Sequence, residues 1–218
     1  MATRNVLCFG DSLTWGWVPK DPPVPSERFG PDVRWTGVVA RLLGDGYRVL
    51  EEGLSGRTTT ADDPTDPRLN GSRHLPGALA THLPLDLVVL MLGTNDTKAL
   101  LRRSPFEIAT GVSVLLDQVA ASAGGVGTAY PAPRVLVVCP PPLGDVADPW
   151  FREVFAGARE KTLALPALYR AVAGFSGASF FDAGSVISTD GVDGVHLTEQ
   201  NNRDLGEALA PVVRDALS

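Results

Sequence analysis

Cysteine is nearly missing from this 218-residue chain: there are two, Cys8 and Cys139, each inside an apolar run. Two thiols cannot build a disulfide framework, and no CxxC or Cys/His spacing marks a zinc site, so both are expected to be small buried thiols. Histidine is almost as scarce, which limits the candidates for a base near neutral pH to His74, His82 and His196. Positive charge is in deficit. The formal charge of −6 leaves no electrostatic footprint for nucleic acid or an anionic membrane. No apolar run approaches transmembrane length. The first residues, Met1 to Asn5, offer no room for a secretory apolar region before Gly10, so a cytoplasmic location is expected. The GxSxG elbow of α/β-hydrolases is absent. "GGVG" at Gly124–Gly127 does not complete GxGxxG and follows no strand, so it reads as a loop rather than a dinucleotide site.

What is present is an ordinary globular composition, 44% hydrophobic and 20% charged, in a length that suits one domain over residues 1–218. Five short apolar runs recur: Asn5–Phe9, Tyr47–Leu50, Leu85–Leu92, Arg134–Cys139 and Ala178–Phe181. The third, "LDLVVLML", suits a central strand buried on both faces. Helical periods lie between the runs. Trp35, Val38, Val39, Leu42 and Leu43 make one stripe, stopped by Gly44; Ile108, Val112, Leu115, Leu116 and Val119 make another. Ser104, Pro105 and Glu107 form a capping box at the start of the second. Trp150 to about Ala173 reads as a third helix that Pro166 should kink or interrupt, and Leu205, Leu209, Val212 and Val213 give the last. Such alternation implies a three-layer α/β/α sandwich around a parallel sheet, with sites at the carboxyl ends of the strands. Two irregular stretches, Val18–Pro25 and Thr58–Gly71, are lids, contact surfaces or plain surface excursions.

The strand ends carry the chemistry. They are Gly10-Asp11-Ser12-Leu13, Gly53-Leu54-Ser55-Gly56-Arg57, Gly93-Thr94-Asn95-Asp96 and Asp193-Gly194-Val195-His196. A serine hydroxyl needs an adjacent base to attack a carbonyl. His196 has Asp193 three residues earlier, able to hold one ring nitrogen protonated while the other faces Ser12. Asp190 competes for that place, but an offset of six gives it no comparable local route. Surface or capping roles suit His74 and His82. Donors for an oxyanion are offered by the N–H groups of Ser12 and Gly56 and the amide of Asn95. Taken alone, Asn95 reads more readily as an Asx-turn closing the third strand and Gly56 as a plain turn residue. Asp11 and Asp96 are assigned to turn geometry or to orienting their neighbours.

These four blocks, GDSL at Gly10–Leu13, Gly56 in "GLSGRTT", GTND at Gly93–Asp96 and DGVH at Asp193–His196, resemble those of the SGNH, or GDSL, hydrolase family. The resemblance spans nearly the whole chain. It implies a flavodoxin-like sandwich with a five-stranded parallel sheet and a serine-ester mechanism. Ser12, Asp193 and His196 would be the catalytic triad, Ser12, Gly56 and Asn95 the oxyanion hole, and no metal or cofactor would take part. Longer stretches such as "CFGDSLTWGWVP" and "FFDAGSVISTDGVDGVHLTEQNNRDLG" are similar to the mycobacterial-type aryl esterase/acyltransferase branch, also called perhydrolases. That similarity implies short acyl esters as substrates, with alcohols or hydrogen peroxide competing with water as acceptors. It also implies a ring-like homo-oligomer, an octamer. At Gly56 that branch is expected to carry alanine, so the chain's oxyanion hole should be somewhat looser. Leu13, Trp15, Trp17, Thr94 and Val195 are expected to contact substrate, and Trp17 with the Val18–Pro25 loop to narrow the entrance. A sugar-ester deacetylase or a lysophospholipase is the alternative within the family. A silent binding domain is the alternative outside enzymes.

Overall fold

The structure, a computed structural model, describes residues 3–189 and 192–218. In chain order its elements are β1 (Arg4–Gly10), α1 (Ser12–Trp15), α2 (Trp35–Leu43), β2 (Tyr47–Gly53), α3 (Gly71–His82), β3 (Leu87–Met91), α4 (Pro105–Ala120), β4 (Arg134–Cys139), α5 (Pro149–Val154), α6 (Ala158–Phe175), β5 (Ser179–Asp182) and α7 (Glu199–Ala216). The five strands form one parallel sheet in the order β2-β1-β3-β4-β5. Strand order reverses beside β1, because the chain leaves it first towards β2 and then returns to its other side as β3. That is where an open α/β sheet leaves a crevice.

The alternation of each strand divides the core into two layers. Leu7 and Phe9 of β1 face one side with Val88 and Leu90 of β3, against Leu75 and Leu79 of α3, Ile108, Val112 and Leu115 of α4, and Leu165 and Tyr169 of α6. Val6 and Cys8 of β1 face the other side with Leu87 and Val89 of β3, against Trp35 and Val39 of α2 and Leu205, Leu209 and Val213 of α7. Every residue of β3 is buried, as a strand sandwiched between two helical layers requires. Both thiols are free and buried.

Local signals set most boundaries. The Ser104–Glu107 capping box forms, with Glu107 N–H donating to Ser104 Oγ at 3.2 Å and Ser104 N–H to Glu107 Oε2 at 2.7 Å. A second box, Thr198 with Asn201, starts α7. Two expectations are corrected. The segment from Trp150 to Ala173 is two helices, broken at residues 155–157 where Gly157 takes φ 70°, while Pro166 lies inside α6. Leu165 and Tyr169 are packed on the sheet on either side of that proline, and their burial holds the helix through it. Leu42 is 37% exposed, so the buried stripe of α2 is Trp35, Thr36, Val38, Val39 and Leu43.

Candidate active site

Gly10, Gly53 and Met91 lie side by side in the sheet register, so the chain leaves β1, β2 and β3 at one common edge. Beyond Gly10, Asp11 caps a single helical turn, accepting the Leu13 N–H on Oδ1 at 2.9 Å, and sets Ser12 at the first position. The turn can start this close to the strand because residue 10 is glycine; a Cβ there would collide with the Thr14 hydroxyl. Beyond β2, the Arg57 N–H donates to the Leu54 carbonyl at 3.0 Å, closing a turn in which Gly56 takes φ 88°. Glycine adopts that left-handed conformation without strain, whereas an added Cβ would press on the Leu69 methyls at 3.2 Å.

The Asn95 side chain reaches across this edge. Its Nδ2 donates to the Arg57 carbonyl at 3.2 Å and reaches Asp11 Oδ2 at 3.4 Å, so it ties three strand ends together instead of closing its own turn. Asp96, next to it, accepts the Thr59 N–H at 2.8 Å, the Thr59 hydroxyl at 2.6 Å and Arg103 at 2.9 Å. Asp11 and Asp96 thus orient neighbours, as expected for them. Both are shut from solvent. Burial, reinforced by the charge of Asp96, pushes Asp11 up to about 7, against the opposing pull of the Leu13 N–H, Arg57 and Asn95. Burial raises Asp96 as well, resisted by its bonds to Thr59 and by Arg103.

The fourth block folds over this edge from the loop before α7. Asp193 Oδ1 accepts the N–H groups of Val195 at 3.0 Å and His196 at 2.8 Å, and Oδ2 lies 2.7 Å from His196 Nδ1. On the other side of the ring, Nε2 lies 3.0 Å from Ser12 Oγ. All three residues are buried, Ser12 to 4% exposure and His196 to 5%. Burial pushes the Asp193 carboxyl up, but the His196 ring and the two N–H donors outweigh it and hold the group below the usual carboxylate value. Asp190, the competing acid, lies outside the described residues.

Aromatic groups crowd the imidazole. The Trp17 ring stacks on it, with centroids 4.9 Å apart and planes 18° apart, and Phe151 of α5 approaches from another side at 6.3 Å. Trp15 stands beside Trp17 at 6.2 Å, with the Arg28 guanidinium over its ring. Leu13 and Val195, expected against substrate, are packed into core clusters, Leu13 with Trp35 and Val195 with Leu143, Phe155 and Ala158. Thr94 is 1% exposed and its hydroxyl has no partner among the described residues. The other two histidines share the Glu52 carboxylate, His82 at 2.8 Å and His74 at 3.3 Å, and take no part in this cluster. Sequence reasoning missed Phe151 and the buried Arg57; Phe151 stands next to the exposed Trp150 after a proline-rich loop, and that aromatic pair was a usable signal. Among the described residues no group of three His, Cys, Asp or Glu side chains is arranged to hold a metal ion.

A serine, a histidine and an aspartate in hydrogen-bonded series is an arrangement for acyl transfer. The sequence pattern of the GDSL-like lipase/acylhydrolase family matches residues 8–203. The chain belongs to that family. It is a serine ester hydrolase on the SGNH hydrolase fold. Among solved structures, this family member is similar to the M. smegmatis aryl esterase, with 65% identity over 99% of this chain and 100% of that one and a TM-score of 0.98. A carbohydrate acetylesterase from Sinorhizobium meliloti is 58% identical, over 98% of this chain and 99% of that one, with a TM-score of 0.97. A second carbohydrate acetylesterase family member from the same organism is 40% identical, covering 99% of both chains, with a TM-score of 0.91. A search of curated proteins matched nothing. No helix among the described residues of this hydrolase is long and apolar enough to cross a membrane.

Proposed function

We propose that Ser12 is the nucleophile of an acyl-enzyme cycle in which His196 moves the proton, Asp193 fixes the ring, and the N–H groups of Ser12 and Gly56 with the Asn95 amide receive the oxyanion. The observation that carries this is the continuous series from Asp193 Oδ2 through His196, 2.7 Å on one side and 3.0 Å on the other, to Ser12 Oγ. Asp193 keeps Nδ1 protonated, which leaves Nε2 a free lone pair facing the hydroxyl. Ser12 Oγ bonds to the ester carbonyl carbon as its proton passes to Nε2. The tetrahedral intermediate then expels the alcohol, which leaves with that proton, and Ser12 holds the acyl group. Water, an alcohol or hydrogen peroxide attacks by the reverse route, giving acid, a new ester or a peracid.

The acyl group is short in this reading, and alcohols compete with water, because Trp17 and Phe151 wall the imidazole with apolar surface. An alcohol burying about 100 Å² against such walls gains around 2.5 kcal/mol, near a hundredfold in partitioning. Homo-oligomerisation, as an octamer, also belongs to the proposal; Trp150 at 72% and Phe106 at 70% exposure are large apolar groups that association would cover. Free, buried Cys8 and Cys139 suit a cytoplasmic location. A sugar acetate as natural substrate is a second reading, favoured by the 58% identity to a carbohydrate acetylesterase.

A chain-length series of p-nitrophenyl esters with added ethanol, reading acid and ethyl ester separately, tests the proposal. The acetate ester is expected to turn over fastest and to yield ethyl acetate in excess of its share from bulk concentration. Acid alone at every ethanol concentration contradicts the transfer step. Faster release of acetate from a peracetylated sugar than from the aryl ester favours the second reading.

A further inference from the structure

A buried cation lies between the Ser12 and Gly56 turns, and the chemistry above leaves it unused. Arg57 is 2% exposed. Its Nη1 donates to two main-chain carbonyls, Gly10 at 3.0 Å and Glu52, while its Nε has no partner among the described residues. Its Cζ sits 4.1 Å above the Phe9 ring in the core beneath the sheet edge. Burying a guanidinium against carbonyls and an aromatic face is costly. Burial lowers its pKa to about 10, against the pull of Glu52 and Asp11, so it is charged at neutral pH.

The bonds of this one residue run to each segment that bears a donor. The Gly10 carbonyl, which also accepts the Leu54 N–H at 3.1 Å, belongs to the peptide leading into Asp11 and Ser12. The Glu52 carbonyl ends β2 and leads into the Gly56 turn, which the Arg57 N–H itself closes on Leu54. The Arg57 carbonyl receives the Asn95 amide at 3.2 Å. Three separate strand ends therefore meet on one side chain and its own peptide groups.

We propose that Arg57 is a positioning residue for ester hydrolysis: locked over Phe9, its guanidinium holds the ends of β1 and β2 in the register that aims the Ser12 and Gly56 N–H groups, and its carbonyl holds the Asn95 amide. The proposal rests on the assignment of those three groups as the oxyanion donors. Donors fixed before reaction lower the barrier without reorganising during it, and they act on the tetrahedral species more than on the planar ester. Loosening them lowers kcat and leaves KM nearly unchanged. The buried positive charge adds to the same effect, because it stands behind the groups where negative charge develops.

The test uses Arg57→Met and Arg57→Lys beside Ser12→Ala, each normalised for competent sites by fluorophosphonate titration of the wild type and the Arg57 variants. The readouts are kcat and KM on p-nitrophenyl acetate, inhibition by a boronic acid that becomes tetrahedral on a serine, and inhibition by planar acetate. Arg57→Met is expected to lose about a hundredfold in kcat and in boronate affinity, with KM and acetate inhibition within about threefold of wild type. Should that variant fail to fold, Arg57→Lys decides: a loss of about fivefold or more in kcat at unchanged KM supports the proposal, and a wild-type kcat overturns it. A rise in KM with kcat intact in either variant also overturns it. Ser12→Ala separates the two levels. If it is inactive while the Arg57 variants keep wild-type kcat, only the role of Arg57 fails; if it remains fully active, the oxyanion assignment fails and the role of Arg57 with it.

Discussion

Replacing Asp193 by asparagine keeps the shape of the site and removes one property. In the native chain Asp193 Oδ1 accepts two main-chain N–H groups, at 3.0 and 2.8 Å, and Oδ2 faces His196 Nδ1 at 2.7 Å. The oxygen of asparagine can stay on the two N–H groups, which places its NH2 against Nδ1. Two donors cannot share that contact, so Nδ1 becomes the acceptor and the ring carries its proton on Nε2. That proton then points at Ser12 Oγ across 3.0 Å, and the ring can no longer accept the serine proton. The expected loss is about 10⁴ in kcat, or ~5.5 kcal/mol, with melting close to wild type because the main-chain bonds survive. Asp193→Ala should lose as much activity and also stability, since its two N–H partners are left unpaired. Initial rates on p-nitrophenyl acetate, with a thermal melt for each variant, check both statements. Activity of Asp193→Asn within about tenfold of wild type would refute the reasoning.

Asp11, raised to about 7 from 3.8, is favoured in its neutral form by the fold, so its contribution to stability is full at low pH and is lost as pH rises through 7. Asp11→Asn, which mimics the neutral acid, should therefore gain stability relative to wild type between pH 4 and pH 8, by a few kcal/mol at most, in urea titrations at each pH; a constant difference contradicts this. Gly93 has φ 125°, and a Cβ there would collide with the Tyr169 hydroxyl, which donates to the Leu92 carbonyl at 2.9 Å. Gly93→Ala is expected to cost about 3 kcal/mol in urea unfolding, and an unchanged midpoint would show that the packing relaxes freely. Trp17→Ala removes the stacked wall of the imidazole and should shift products from ethyl ester towards acid; an unchanged ratio sinks the entrance explanation.

The parts legible in sequence were those written in local pattern. All five strands fall on apolar runs, with β4 matching its run at both ends, and the Ser104 box is visible because its partners stand three residues apart. The Asp193–His196 contact is legible for the same reason, while Ser12 and Asn95 were singled out by their places after the first and third strands, with the resemblance of four ordered blocks added. What escaped depends on distance in the chain. Arg57 reads as one more polar residue until Gly10, 47 residues away, and Asn95 close on it. Pro166 reads as a breaker because the packing of Leu165 and Tyr169 on the sheet is not a local property. Leu13 and Val195 stand beside Ser12 and His196 in sequence, yet their side chains point into the core, since neighbours along a turn need not share a face.

The central claim is a covalent acyl group on one hydroxyl, and mass spectrometry of the protein quenched within its first turnovers of p-nitrophenyl acetate tests it most directly. The expected result is a single acetyl group on the peptide containing Ser12, absent from Ser12→Ala, whose esterolysis is lost. An acetyl group on another side chain, or full turnover by Ser12→Ala, would contradict it.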